Sequence, residues 1–287
     1  MRSRNSTLLV ALAVSLSSLV VLNDAAAAGR PKELVEKLTK ALRDKDMAAA
    51  SALIEWGQAP VAAYRIFKMS MADCFAPTLC KVELLPFNDA TENPQPDYRF
   101  AIPPEGETKL TIPGESGGFS MPFAKVGSEY KFVLGQPTEE AYLLSKANAN
   151  ARKIAELVEP DLVANGKELP ANGGAQAASY QNYVNAISKG DTEYLSKKGS
   201  TGDRYYFGGA YQSNPVKAGI ALELAQMENI STPTILGGFF NEHKAVLLVS
   251  GKNAQGWHTE GAVTIMNENG EWTVEEKQYE SYSPTPG

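Results

Sequence analysis

Hydrophobic and polar positions along this chain alternate between a helical and a strand period, and they do so in the same order twice. Leu34, Val35, Leu38, Ala41 and Leu42 recur at helical spacing behind Pro31, with Lys and Glu between them, which predicts an amphipathic helix. Asp44-Lys45-Asp46 interrupts it, and Met47 to Ile54 reads as a short second helix. Pro60 to Met71 reads as a third, with Val61, Tyr64, Phe67 and Met71 at helical intervals. The period then shortens. Lys81–Leu85, Tyr98–Ile102, Lys109–Ile112, Gly118–Val126 and Tyr130–Leu134 read as strands, divided by Pro and Gly breaks and by a Pro-rich turn over Asn93–Pro96. A helix follows from Thr138, with Glu139 and Glu140 in its first turn. Its apolar face carries Tyr142, Leu143, Ala147, Ala151, Ile154, Leu157 and Val158, and it ends near Pro160. Asn165 to Ala175, polar and rich in Gly and Pro, reads as a linker.

The second half repeats the sequence of elements. Gln176–Ser188 is helical, Lys189-Gly190-Asp191 breaks it, and Thr192–Lys198 is a short second helix. Asp203 to Gly209 is irregular and aromatic, and Pro215 to Met227 is again helical. Thr234–Phe239, Lys244–Ser250, Trp257–Met266 and Glu271–Gln278 are strands, with Asn269-Gly270 as a hairpin turn between the last two and Asn253–Gly256 as the turn one hairpin earlier. A weak internal copy accompanies the order. Leu38–Ser51 lies over Tyr183–Ser196 at a spacing of 145, with Ala41 on Ala186, Asp46 on Asp191 and Ser51 on Ser196. Ser128–Phe132 lies over Gly270–Val274 at a spacing of 142. Two anchors at nearly one spacing predict two α+β domains, each helices followed by a mostly antiparallel sheet, over 30–136 and 176–283, with 137–175 as connecting helix and linker.

Composition changes the picture at the N-terminus. Arg2 and Arg4 precede the apolar run Thr7–Leu22, and Asn23-Asp24 leads into Ala25–Ala28. That order predicts a secretory signal peptide over 1–28, of bacterial type. The alternative, an uncleaved anchor, suits the short and Ser-interrupted run poorly. Removing Arg2, Arg4 and Asp24 from 27 basic and 33 acidic residues leaves a net charge near −7. No Lys/Arg cluster accompanies it, which argues against nucleic acid and anionic membrane as partners. The expectation is an exported protein, periplasmic or secreted, with no membrane insertion after cleavage. The two cysteines, Cys74 and Cys80, are separated by five residues. In an exported chain such a pair predicts a disulfide. A redox pair calls for tighter C-x-x-C spacing, and no His lies near enough for a metal site.

Ala186–Asp191 (AISKGD) and Ala262–Val274 (AVTIMNENGEWTV) carry a resemblance. The helix, the Gly-Asp break and the final hairpin closing on Asn-Gly-Glu-Trp resemble the cystatin-like α+β roll of the nuclear transport factor 2-like superfamily. The resemblance covers Gln176–Tyr279 better than Pro31–Leu134, whose Pro-rich stretch and cysteine loop have no counterpart there. It implies a curved sheet wrapped around helices to form a conical cavity. It does not choose among the cyclases, isomerases, dehydratases, adaptors and other exported domains of that superfamily.

Candidate chemistry is sparse. His258 and Glu260 sit two apart on a strand and so share a face. The resemblance implies that such a pair inside a cone can do acid–base work. The competing reading is a solvated outer face, because Trp257, Thr259, Val263 and Ile265 make the other face more apolar. His243 lies in a polar turn, and neither histidine has zinc-ligand spacing. Arg204, Tyr205, Tyr206, Phe207 and Tyr211 cluster between glycines, and Tyr and Arg are enriched at binding hot spots. The competing reading makes these aromatics a cap on the core. Tyr64, Phe67, Met69 and Met71 read as core before cavity lining. Asn229-Ile230-Ser231 fits a glycosylation sequon, discounted beside a bacterial leader. No phosphate loop or nucleophile elbow is present, and no cofactor is called for. The leading expectation is a non-catalytic binding or protein-interaction protein for a protein or small apolar partner. A cyclase- or isomerase-type enzyme and an immunity or inhibitor protein for a secreted toxin are the alternatives.

Overall fold

The computed structural model describes residues 29–57, 59–75, 78–88, 98–114, 118–170 and 172–284. The signal-peptide reading and the Asn93–Pro96 turn lie outside them. The chain divides into two compact units, Met1–Thr138 and Glu139–Gly287.

In the first unit, α1 (Gly29–Asp44), α2 (Met47–Ala52) and α3 (Val61–Asp73) precede most of a five-stranded sheet. The stripe Leu34, Leu38, Ala41, Leu42 is buried against Ile54, Phe67, Met71, Leu110, Phe123 and Phe132. Each fully buried Leu there contributes roughly 2 kcal/mol of burial free energy. The sheet is formed by β1 (Ile54–Glu55), β2 (Lys81–Leu85), β4 (Gly106–Thr111), β5 (Gly118–Val126) and β6 (Glu129–Val133), in the order β1-β6-β5-β4-β2. The strands β2, β4, β5 and β6 are antiparallel neighbours, and β1 joins β6 in parallel. The short helix read through Ile54 therefore stops at Ala52, because Ile54 and Glu55 pair with Phe132 and Val133. A separate two-stranded ribbon pairs β3 (Tyr98–Phe100) with β7 (Gly135–Pro137).

Cys74 and Cys80 form a disulfide, and both residues are buried. It ties the end of α3 to the start of β2. Reduction, or replacement of both cysteines by Ala, is expected to lower the stability of the first unit by about 2 kcal/mol, the loop-closure value for so short a ring. Urea unfolding with and without reductant checks this, and an unchanged midpoint refutes it.

In the second unit, α4 (Glu139–Asn148), α5 (Ala151–Val158) and α6 (Pro160–Asn165) come first. The single helix expected after Thr138 is broken at Ala149-Asn150, because the Asn150 side chain accepts the Lys153 N–H and starts a new helix. The stretch read as a linker holds β8 (Lys167–Glu168). Next come α7 (Gly174–Lys189), α8 (Thr192–Lys198), α9 (Thr201–Tyr205), a π-turn over Tyr206–Ala210 and α10 (Pro215–Glu228). The strands β9 (Thr234–Phe240), β10 (Lys244–Lys252), β11 (His258–Glu268) and β12 (Glu271–Tyr282) complete a sheet of order β12-β11-β10-β9-β8. Asn269 and Gly270 both take positive φ, 57° and 90°, in the tight turn before β12.

This sheet is covered on both faces. Val246, Leu248 and Ala262 pack with Ala151, Ile154 and Ala155 of α5 on one. Strand alternation sends Leu247, Val263, Lys277 and Tyr279 to the other, toward α7. That double cover explains why β10 reads as an unbroken apolar run rather than an alternation. The free edge of β12 is blunted as well, since Ser179 donates to the Trp272 carbonyl and Thr201 to that of Glu275.

The two units share part of one order: a 16-residue helix, a short second helix, a longer helix (α3, and α10 after the interposed α9 and π-turn) and four antiparallel neighbouring strands. The second unit adds α4 to α6 in front, and the first interposes β3 between β2 and β4. The internal copy has a physical content at the first break. Asp46 N–H reaches the Ala41 carbonyl and Asp191 N–H that of Ala186, each at 2.9 Å, and Lys45 and Gly190 donate to Leu42 and Ile187. Both are Schellman closures. Gly190 takes φ 69°, and Lys45 takes φ 57° at the same place, at a steric cost that glycine avoids. Asp46 and Asp191 then cap the next helix, accepting the N–H groups of Ala49 and Tyr194. Among the described residues no helix is long and apolar enough to cross a membrane.

Candidate functional site

The aromatic segment after α8 is helical rather than irregular. Ser200 caps α9, its hydroxyl accepting the Asp203 N–H while Asp203 answers to the Ser200 N–H, a capping box. Asp203 is buried and has a second task. Its Oδ2 accepts the Tyr183 hydroxyl at 2.7 Å and the Ser200 hydroxyl at 2.6 Å. A fully buried Tyr on α7 thereby pins the start of α9. One residue later, Arg204 donates to the Gly199 carbonyl at 2.7 Å and to Glu275 of β12 at 2.8 Å. Burial works against the charge of Glu275, but hydrogen bonds from Arg204 and Thr201, with the Arg204 charge, hold its carboxyl below the usual range. Arg204 is thus an internal strut and not a free binding cation.

Beyond this footing the backbone widens into the π-turn, with Tyr211 N–H reaching the Tyr206 carbonyl at 3.0 Å. Gly208 runs so close to Ser196 that a Cβ would sit 3.1 Å from its carbonyl oxygen. Phe207 points into the core, 8% exposed. The other aromatics do not. Tyr206 and Tyr211 stack at 5.2 Å and 7°, Tyr205 meets Tyr206 edge-on at 5.4 Å, and Tyr205 is 63% exposed. Lys217 lies 5.9 Å over the Tyr211 ring. Three of the four candidate binding residues therefore form one face, and Arg204 supports it from behind.

Behind the same footing lies a tyrosine cluster that sequence reasoning missed. The Tyr180 and Tyr279 hydroxyls meet at 2.7 Å, and the rings of Tyr180 and Tyr183 stack at 6.4 Å. Lys277 lies 5.5 Å from the Tyr183 ring centre and 5.8 Å from that of Tyr279. The Tyr279 ring covers Gly261, its partner across the strands, where a Cβ would come within 2.3 Å of the ring. Burial pushes the Tyr180 hydroxyl up to about 12. Burial, with the charge of Asp203, raises Tyr183 well above the ordinary phenol value, and burial raises Tyr279 likewise. All three are thus neutral at physiological pH, Tyr183 donating to Asp203 and Tyr180 and Tyr279 sharing one hydrogen bond. The i, i+3 spacing of Tyr180 and Tyr183, and Asp203 three residues behind Ser200, were the available signals.

His258 and Glu260 share a face, as their spacing requires, and the face is the one covered by α5. His258 Nε2 lies 3.2 Å from Glu260 Oε1, and Glu260 Oε2 accepts the Ala151 N–H at 2.9 Å. Glu260 therefore holds the first turn of a helix; its side chain is engaged there and with His258 while remaining 23% exposed. Glu280 lies directly across from it in the register, its carboxyl raised by burial. His243 sits exposed in the turn between β9 and β10, its N–H bonded to the Asn241 side chain. Asn229 is 3% exposed at the end of α10, so the sequon is not presented to solvent.

Among the described residues no group of three or more His, Cys, Asp or Glu is placed to hold a metal ion. No protein-family model matches the sequence, and no curated protein matches it.

Proposed function

We infer that the chain is a periplasmic, non-catalytic binding or protein-interaction protein made of two tandem cystatin-like domains of common origin. Its partner docks on the Tyr205, Tyr206 and Tyr211 face of the second unit. The observation that carries the reading is the contrast within one segment. Arg204, Phe207 and Asp203 are consumed in holding α9 and the π-turn in place, while Tyr205 is left 63% exposed beside a stacked Tyr pair. Rigid aromatic groups on a braced turn lose little entropy on binding and suit a hot spot. The matching Schellman closures and the runs of four antiparallel strands in the two units support common origin, and the disulfide is compatible with export. The partner is a protein or a small apolar ligand, because the exposed part of the face is aromatic and glycine-rich.

The second reading is a cyclase- or isomerase-type enzyme, favoured by the His258–Glu260 contact. It is the weaker one, since Glu260 is already engaged by the Ala151 amide.

The test is capture of partners from periplasmic extract by the full chain and by a Tyr205→Ser, Tyr211→Ser double variant. The variant is expected to keep its thermal midpoint and to lose affinity for captured partners by about tenfold or more. Retention of the same partners at wild-type affinity would remove the tyrosine face from the proposal.

A further inference from the structure

The first helix of the second unit is anchored unlike the helices that follow it. α4 buries none of its residues, whereas each later helix of the unit buries at least one. Leu143 and Leu144 of α4 are 54% and 57% exposed. The helix meets the end of β12 through an aromatic contact. The Tyr142 ring stands edge-on to Tyr282 at 6.2 Å, and Lys146 Nζ lies 6.0 Å over the same ring. Tyr282 tilts against His258 at 5.0 Å, and His258 leads to Glu260. The next helix is held differently. α5 is seated in the core by Ala151, Ile154 and Ala155, and its first amide is fixed by Glu260. Between the two, Asn150 takes extended backbone and closes α5 with its own cap, so α4 can move without unwinding α5.

We propose that α4 is a hinged strap that undocks from β12 about Ala149-Asn150 and, in doing so, frees the Tyr282 ring and widens access to His258, which that ring flanks. Register places His258 opposite Tyr282 and Glu260 opposite Glu280, so the four side chains share one face. The strap modulates access to His258, whose side chain is 34% exposed with α4 docked, on the opposite side of the sheet from the α7 tyrosine cluster. The proposal does not depend on the Tyr205 face. The physical basis is local stability: a helix without buried residues opens at a small fraction of the global unfolding free energy.

Native-state hydrogen exchange on the full chain tests it. The amides of 143–148 are expected to exchange at least about tenfold faster than those of 154–158, because only the latter are locked to the core. Tyr282→Ala is expected to speed α4 by a further factor of roughly two to ten, the effect of losing one aromatic edge contact, and to leave α7 and α10 unchanged. Tyr142→Ala removes the same contact from the helix side and is expected to do likewise, which keeps the test usable if Tyr282→Ala loosens the sheet. Diethyl pyrocarbonate provides the access readout. Labelling of His258 is expected to rise in Tyr142→Ala relative to exposed His243. Equal protection of α4 and α5 in the wild type overturns the proposal. So does a Tyr142→Ala variant with unchanged α4 exchange and unchanged His258 labelling.

Discussion

Replacing Asp203 with Ala is expected to destabilise the second unit by about 3 kcal/mol, which we place among the largest effects of any single polar substitution in the chain. Three donors converge on its carboxylate: the Tyr183 hydroxyl, the Ser200 hydroxyl and the Ser200 N–H. Tyr183 is 0% exposed and Ser200 6% exposed, so water cannot replace the lost acceptor without opening the fold. A buried donor left without its acceptor costs about 1–3 kcal/mol, and loss of a helix cap about 1 kcal/mol more. Tyr183→Phe removes a donor instead and leaves two donors on Asp203, so a smaller loss of about 1.5 kcal/mol is expected. The double variant should be less destabilised than the sum, because Tyr183→Phe removes the very hydroxyl that Asp203→Ala would leave without an acceptor. Trp257 and Trp272 lie in this unit, so urea unfolding followed by their fluorescence in a Trp56→Phe background reads it selectively. A loss under 1 kcal/mol for Asp203→Ala, or strict additivity in the cycle, would show that the network does not brace α9.

The same residues show what the sequence could and could not tell. Helices and strands were legible wherever apolar period decided them, and Gly118–Val126 and Thr192–Lys198 fall where the pattern puts them. The break at Gly190-Asp191 was legible because a left-handed position followed by a helix cap leaves a residue signature. Its counterpart at Lys45-Asp46 was half hidden, since lysine occupies the left-handed position that usually advertises itself as glycine. The segment around Asp203 was misread as irregular because its apolar content is aromatic and its helical start rests on a capping box rather than on periodicity. The long helix from Thr138 was over-read for the converse reason. Apolar period runs through Ala149-Asn150 without interruption, while a single side-chain cap divides the helix. The His258–Glu260 pair was found by spacing alone. What spacing could not supply is that a helix from the segment read as a connector lies over it and engages the carboxylate. Tyr180, Tyr183 and Tyr279 were invisible for a related reason: they come together from α7 and β12, 99 residues apart at the Tyr180–Tyr279 contact.

That cluster sets an alkaline limit on the second unit. The Tyr180 hydroxyl is raised from 10.0 to about 12, chiefly by burial, and Tyr183 and Tyr279 are raised well above 10.0 with burial again the first cause. A phenol whose folded-state pKa lies above its unfolded value binds its proton more tightly in the fold. Its contribution is fully present below pH 10 and is lost as pH climbs through the folded value. For Tyr180 alone the window runs from about pH 10 to 12, and the loss across it is about 2–3 kcal/mol at roughly 1.4 kcal/mol per unit. Tyr183 and Tyr279, raised in the same direction, add to the alkaline loss. The urea midpoint of the second unit is therefore expected to hold from pH 8 to about 9.5 and then fall steeply. General repulsion in an acidic chain also grows as lysines discharge, so the decisive comparison is with Tyr180→Phe. That variant starts less stable, because the Tyr279 hydroxyl loses its partner at 2.7 Å, but its midpoint should decline less between pH 10 and 11.5. Parallel declines in wild type and variant would assign the alkaline loss to net charge and detach it from the buried tyrosines.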